Sequence, residues 1–169
     1  MDTFRAEVKA EMGKPSSSAA KYVTLRIGCN KAIANGTKTT IGSAGMKPFL
    51  QGGKTMVPLR FVIEKLGGTV EYVNAKSPIR ASYGGRTVEF SINAKKMTIL
   101  KSGAVATKTL DTAAVLKGGK TYIPLRAISE SLGFDVSYDN ATKIISVCNE
   151  KMSDAAKVFY VASGKNYIK

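Results

Sequence analysis

Two arginine–glutamate pairs are the first residues in this chain whose types and spacing could do chemistry. Arg60 precedes Glu64 by four residues, and Arg126 precedes Glu130 at the same spacing. Residues four apart share one face of a helix, so each pair forms either a helix-borne ion pair or, if the guanidinium is free, an anion-binding group. We favour structural ion pairs, because such pairs are common on helices.

A second chemically active group consists of lysines near predicted turns, in a chain with a net charge of +14. Such a charge attracts polyanions, whether nucleic acid, anionic lipid or an anionic wall polymer. The group could bind polyanionic glycans, or its members could be exposed lysines that discourage aggregation through strand edges, which we favour. Its members are Lys31, Lys38, Lys95, Lys96 and Lys101.

The chain has two cysteines, Cys29 and Cys148, and no histidine. In an exported protein an even pair of cysteines is a candidate disulfide, and the alternative is two free thiols. The absence of histidine excludes a Ser-His-Asp or Cys-His catalytic site and a histidine-ligated copper or zinc site. Two cysteines cannot form a four-thiolate zinc site. We therefore predict no catalytic residue, no metal site and no enzyme activity.

The lengths of the apolar stretches indicate whether the chain could span a membrane or begin with a secretory signal. No run of about 18 apolar residues occurs, so we predict no membrane span. The first five residues lack the apolar core of a secretory signal. Either the protein is intracellular, or its signal peptide has been removed from this chain.

An internal repeat organises most of the chain. The sequence Gly-Gly-Lys-Thr-Met-Val-Pro-Leu-Arg at 52–60 recurs as Gly-Gly-Lys-Thr-Tyr-Ile-Pro-Leu-Arg at 118–126, and about half of the positions in 52–81 are identical at this offset of 66. Upstream, 23–27 parallels 88–92 more weakly. We predict a first unit over 22–85 and a second over 86–149, with an N-terminal arm or linker at 1–21 and a C-terminal arm at 150–169.

The same local pattern appears in both units. Alternating apolar residues at 23–27 predict a half-buried strand, and an apolar stripe from Leu59 to Leu66 predicts a short helix after Pro58. Gly67 is expected to end that helix in a left-handed conformation. Tyr72, Tyr122 and Tyr138 fall on predicted inward faces. The chain is therefore expected to be α+β, with two repeats of a small twisted antiparallel sheet each packed on one short helix.

The C-terminal arm has helical features of its own. Residues 151–163 predict a helix that starts near Ser153, with Ala156, Phe159 and Tyr160 on one side. Both arms either pack or fray as chain ends do, which we favour, or dock onto a neighbouring subunit.

The repeated motif resembles a known family. Gly-Lys-Thr-x-[Val/Ile]-Pro-Leu-Arg, then Glu-x-Leu-Gly, then Val-x-Tyr, present twice over about 22–148, is similar to the copper amine oxidase-like N-terminal domain. That resemblance implies a twisted antiparallel sheet around a helix, a secreted or cell-surface location and tandem copies in exported proteins of Gram-positive bacteria. It also implies a non-catalytic stalk with no cofactor.

These observations lead to two function hypotheses. The first is a secreted or cell-surface module that binds an anionic cell-wall polymer or acts as a spacer or interaction domain for another surface protein. The alternative is a self-assembling structural subunit of a surface layer or extracellular filament. A nucleic-acid partner is disfavoured, because no nucleic-acid motif or stacking platform is present.

Overall fold

The computed structural model describes residues 20–42, 45–72 and 78–169. This part of the chain forms fourteen strands and three helices, which confirms the predicted α+β class. The strands of the first predicted unit are β1 (Tyr22–Arg26), β2 (Lys31–Ala34), β3 (Thr37–Thr40), β4 (Phe49–Gln51), β5 (Lys54–Pro58), β6 (Thr69–Glu71) and β7 (Ile79–Tyr83). Those of the second are β8 (Arg86–Phe90), β9 (Lys96–Lys101), β10 (Ala104–Thr109), β11 (Val115–Lys117), β12 (Lys120–Pro124), β13 (Asp135–Asp139) and β14 (Ile144–Cys148). The helices are α1 (Leu59–Lys65), α2 (Leu125–Leu132) and α3 (Asp154–Tyr167).

The strands form three antiparallel sheets, each of which contains strands of both units. Sheet A has the order β13-β14-β1-β2-β3, sheet B has β11-β12-β5-β4, and sheet C has β10-β9-β8-β7-β6. The sequence predicted one sheet per unit, whereas the units exchange strands. In sheet C the two units meet at the hairpin of Gly84 and Gly85, which joins the last strand of the first unit to the first strand of the second. Both glycines have positive φ, as tight hairpins require.

The strand pairing is symmetric about the middle of sheet B. There β5 pairs with β12 so that Val57 lies opposite Ile123, and these two residues are equivalent positions of the sequence repeat. Likewise, sheets A and C have corresponding strand orders when each strand of the first unit is exchanged for its equivalent in the second. The predicted boundary at 85/86 therefore falls inside the β7–β8 hairpin and within one continuous sheet.

The short helices α1 and α2 begin directly after Pro58 and Pro124. Gly67 and Gly133 follow the ends of these helices with φ of +93° and +86°, the left-handed conformation expected at a helix end. Leu59, Val62 and Ile63 of α1 are buried. Each helix contacts strands of both units, because α1 packs against β6 and β12 while α2 packs against β8 and β5. One large apolar core, to which both helices contribute, therefore joins the two units.

Helix α3 lies on sheet A. It contacts β14, β1 and β2, and it begins as predicted, with the Ser153 side chain accepting a hydrogen bond from the Ala156 N–H at 3.1 Å. It runs to Tyr167, beyond the predicted end. Because α3 covers the outer face of sheet A, β1 is buried on both faces, and the expected half-buried strand is wrong there. The predicted N-terminal arm, except its last two residues, lies outside the described residues.

The three tyrosines expected in the core do not share one environment. Tyr122 is buried, Tyr138 is half-buried, and Tyr72 is 46% exposed. The expectation for Tyr72 is wrong because β6 ends at Glu71, one residue before it, so the alternation does not carry its ring inwards. The ring lies instead beneath the guanidinium of Arg60, 5.2 Å from its centroid.

Candidate ligand-binding surfaces

The two helix-borne arginines lie within ion-pair distance of their predicted partners, but the two pairs differ. Arg60 donates to Glu64 at 3.1 Å and stacks on Tyr72, whereas Arg126 lies 3.8 Å from Glu130. All four side chains are at least half exposed, so each pair contributes little to stability. Arg126 is held more loosely than Arg60 and is the more available of the two for a ligand.

The five predicted lysines do not form one cluster. Lys31 on β2 and Lys38 on β3 converge on the ring of Tyr167, with ammonium nitrogens 5.5 and 5.4 Å from its centroid. Lys96 and Lys101 lie at opposite ends of β9 in sheet C, roughly 16 Å apart at the usual rise of a strand, and Lys95 precedes β9. The structure therefore brings together only Lys31 and Lys38.

Helix α3 builds this basic corner of sheet A. Arg26 donates a hydrogen bond to the carbonyl of Ile168 at 2.8 Å, and the Tyr167 hydroxyl donates a longer one to the carbonyl of Thr39 at 3.4 Å. These contacts hold the Tyr167 ring close to the two lysines. Neither Lys31 nor Lys38 has an acidic partner within 4.0 Å among the residues that the structure describes. We call Lys31, Lys38 and Tyr167 the basic corner.

The two cysteines are not joined in the structure, and both belong to the small apolar cluster beneath α3. Cys148 is buried and Cys29 is half-buried. Burial raises the pKa of the Cys148 thiol, which keeps it protonated and poorly nucleophilic at neutral pH. The candidate disulfide stays a prediction.

An open cleft of about 500 Å³ lies beside α2. Of the charged residues at its rim, the sequence singled out only Arg126 and Glu130. The β4–β5 hairpin of the first unit supplies Lys54 to its rim, and the segment around β10 supplies Lys108 and Asp111. Lys54 pairs with Asp111 at 3.3 Å, and Lys108 lies 3.6 Å from Glu130. These positions are distant in sequence, so no local pattern could have revealed the cleft. We call it the α2 cleft.

Positive charge dominates the described surface. The described residues contain 22 Lys and Arg against 9 Asp and Glu, and only five of these cations form ion pairs. Within residues 20–42, 45–72 and 78–169, no group of three or more His, Cys, Asp or Glu side chains is placed so that it could hold a metal ion. Over the same residues, no helix is long and apolar enough to cross a membrane.

Comparison with known proteins identifies the family. The family model of the copper amine oxidase N-terminal domain matches residues 42–147, which is well over half of the chain and includes both Pro-Leu-Arg motifs. The match begins after β3, so β1, β2 and β3 lie outside it. No curated protein and no solved structure matches the chain. The copper amine oxidase N-terminal domain is a non-catalytic domain. The resemblance predicted from the repeated motif is thus confirmed, and the chain belongs to the copper amine oxidase N-terminal domain family.

Proposed function

We propose that this protein is a non-catalytic module, secreted or exposed at the cell surface, that binds an anionic cell-wall polymer through its basic exterior. The observation that carries the proposal is the basic corner, where two lysines without acidic partners in the described part of the chain flank one tyrosine ring. A phosphodiester or carboxylate polymer provides repeating negative charges that such unpaired ammonium groups attract. The family supports a binding or spacer role, because its domain is non-catalytic.

Binding to purified cell walls tests this proposal. The protein should co-sediment with walls that retain their anionic polymers, and salt should release it, since exposed charges are screened within about 8–10 Å at 0.1–0.15 M ionic strength. The double variant Lys31→Gln/Lys38→Gln should lose more affinity than the matched control Lys96→Gln/Lys101→Gln, which removes the same charge from sheet C. Absence of retention at low salt, or equal losses in the two double variants, would count against the proposal.

A second candidate function is self-assembly, and the outer strand of sheet C favours it. Strand β10 lies at the edge of that sheet, and Val105 within it is 66% exposed. An exposed edge with an apolar side chain can pair with a strand of another copy. Size-exclusion chromatography at rising concentration tests this: assembly should disappear in Val105→Lys, and a strict monomer at every concentration would exclude it.

A further inference from the structure

The α2 cleft and the corresponding place beside α1 differ although the two helices share a motif. Ala127 of α2 takes the position that Phe61 holds in α1, so a methyl group stands where the other unit has a phenyl ring. Beside α1, the guanidinium of Arg60 lies against Tyr72, whereas Arg126 is 64% exposed at the edge of the cleft. The second unit therefore places a smaller side chain and a more exposed guanidinium beside its helix.

The cleft has an apolar floor. Leu110, Leu125 and Ile145 line it and are almost fully buried, and the half-buried Val136 and Tyr138 extend the same surface. A volume of about 500 Å³ lies within the range of small-molecule sites, roughly 300–1,000 Å³. An apolar floor that includes an aromatic ring suits the flat carbon face of a sugar.

Polar groups above this floor are available to a ligand. The side chains of Tyr138 and Asn140 have no hydrogen-bond partner within the described part of the protein, and three threonines, at 55, 109 and 112, also line the cleft. Hydroxyl and amide side chains both donate and accept, which matches the hydroxyl groups of a sugar. A short list of polar groups over an apolar base is the usual composition of a ligand site.

The rim carries more positive than negative charge. Lys54, Lys108 and Arg126 face two acids, Asp111 and Glu130, and Glu130 is shared by two of the cations. Its distances of 3.6 and 3.8 Å exceed the 2.7–2.9 Å of a strong charge-assisted hydrogen bond. An entering carboxylate or phosphate would therefore find a guanidinium that is not fully engaged.

We propose that the α2 cleft binds one anionic sugar unit, with the sugar ring on Tyr138 and Leu110 and its carboxylate or phosphate on Arg126. This inference rests on the proposed function, for which it supplies a saturable site distinct from the basic corner. An acidic peptide is the competing occupant. The sugar is favoured because the floor is apolar and the uncharged polar side chains that line the cleft are mostly hydroxyls.

Amide chemical-shift titrations of the full chain with free monosaccharides test the inference. The probes are glucuronic acid and glucose 6-phosphate, with glucose as the uncharged control and a short Asp/Glu peptide as the competitor. Both anionic sugars should move the amides of Gly53, Leu110 and Arg126 along saturating curves, and glucose should bind more weakly. Arg126→Gln should weaken binding about tenfold or more, since a charge-assisted hydrogen bond is lost. The matched variant Arg60→Gln should leave it unchanged.

A second variant closes the cleft without changing charge. Ala127→Phe introduces the side chain that the first unit already carries, and it should abolish sugar binding while wall retention through Lys31 and Lys38 persists. Retention of the protein on cell walls without saturating amide shifts at the cleft would overturn this inference and leave the proposed function standing. Tighter binding of the peptide than of the sugars, equal effects of Arg60→Gln and Arg126→Gln, or sugar binding that survives Ala127→Phe would also overturn it. If the unmodified protein neither binds cell walls nor binds the sugars, both proposals are overturned.

Discussion

Sheets A and C have corresponding strand orders, but the side chains on their outer faces differ in polarity. In sheet A, Tyr22 and Cys148 lie opposite each other and face α3. The equivalent pair in sheet C is Thr87 and Ser82, whose hydroxyl groups hydrogen-bond to each other at 3.0 Å. One backbone plan thus carries an apolar outer face in one copy and a hydroxyl-bearing one in the other.

This difference decides where the C-terminal helix docks. Tyr160 of α3 stacks on Tyr22 with ring centroids 4.2 Å apart, and Gly164 approaches Ile144 and Thr24 closely. Burial of these apolar surfaces stabilises the contact at about 25 cal/mol per Å². At the equivalent positions sheet C has the hydroxyl side chains of Thr87 and Ser82, so it lacks the apolar partners that Tyr160 meets on sheet A. The duplicated fold therefore acquires a one-sided surface, which includes the basic corner.

Removing the Tyr160 ring should have the largest effect on stability. Tyr160 is fully buried, so we expect Tyr160→Ala to lower the free energy of unfolding by about 3–5 kcal/mol. Urea denaturation measures the change. The matched control is Thr87→Ala on the open face of sheet C, which removes one hydroxyl hydrogen bond and should cost only about 1 kcal/mol. Similar losses in the two variants would show that the outer faces do not differ energetically.

The residues that follow the two short helices also differ, and Gly68→Ala tests this difference. Phe134 occupies the position in the second unit that Gly68 holds in the first. A Cβ at Gly68 would lie 2.6 Å from the carbonyl oxygen of Ser82, so Gly68→Ala should cost about 1–3 kcal/mol through overpacking. Gly45→Ala, where a Cβ meets nothing within 4 Å, is the control. A neutral result in urea denaturation would mean that the backbone at Ser82 moves freely.

Alkaline pH should weaken the packing beneath α3. Burial raises the pKa of Tyr22, Tyr160 and Cys148 above their ordinary values of 10.0 and 9.0, so the folded state holds these protons longer than the unfolded state. The contribution of these three groups to the free energy of unfolding should therefore be constant below about pH 9 and fall as the pH rises beyond it. Denaturation at pH 7, 9 and 10.5 measures this decline.

The variant Tyr160→Phe sharpens this test. The Tyr160 hydroxyl is buried and has no hydrogen-bond partner in the described part of the chain, so its removal should be neutral or slightly stabilising at pH 7. The alkaline decline should be shallower in this variant. An unchanged pH dependence would show that Tyr160 ionises equally in the folded and unfolded states.

The smallest effect is expected at the helix ion pairs. Glu64→Gln and Glu130→Gln should each cost no more than about 0.5 kcal/mol, because both pairs are exposed. The first should cost slightly more, since Arg60 is closer to its partner than Arg126. Thermal denaturation of the two variants side by side checks this order. A much larger cost at Glu130 would mean that its bonds to Lys108 and Arg126 organise the α2 cleft.

Local signals predicted much of the fold. The prolines before α1 and α2, the left-handed glycines after them and the Ser153 cap of α3 all act within a few residues, so the sequence exposes them directly. The family followed from the repeated Pro-Leu-Arg motif for the same reason. The exposed ring of Tyr72 escaped prediction, because alternation beyond the end of a short strand says nothing about what covers a side chain.

The candidate sites show the same division between local and distant contacts. Sequence spacing placed Arg126 and Glu130 on one helical face, but Lys54, Lys108 and Asp111 join them only through folding. Similarly, Lys31 and Lys38 were expected near a hairpin, whereas their convergence on Tyr167 depends on where α3 docks.

The sequence by itself determined the repeat, the α+β class, the positive charge and the family, because each depends on residue identity and short spacing. Only the tertiary structure decided that the units exchange strands, that one outer face is covered and that an open cleft lies beside α2. The physical reason is that these features depend on contacts between distant segments, and which apolar surfaces meet is decided by the packing of the whole chain.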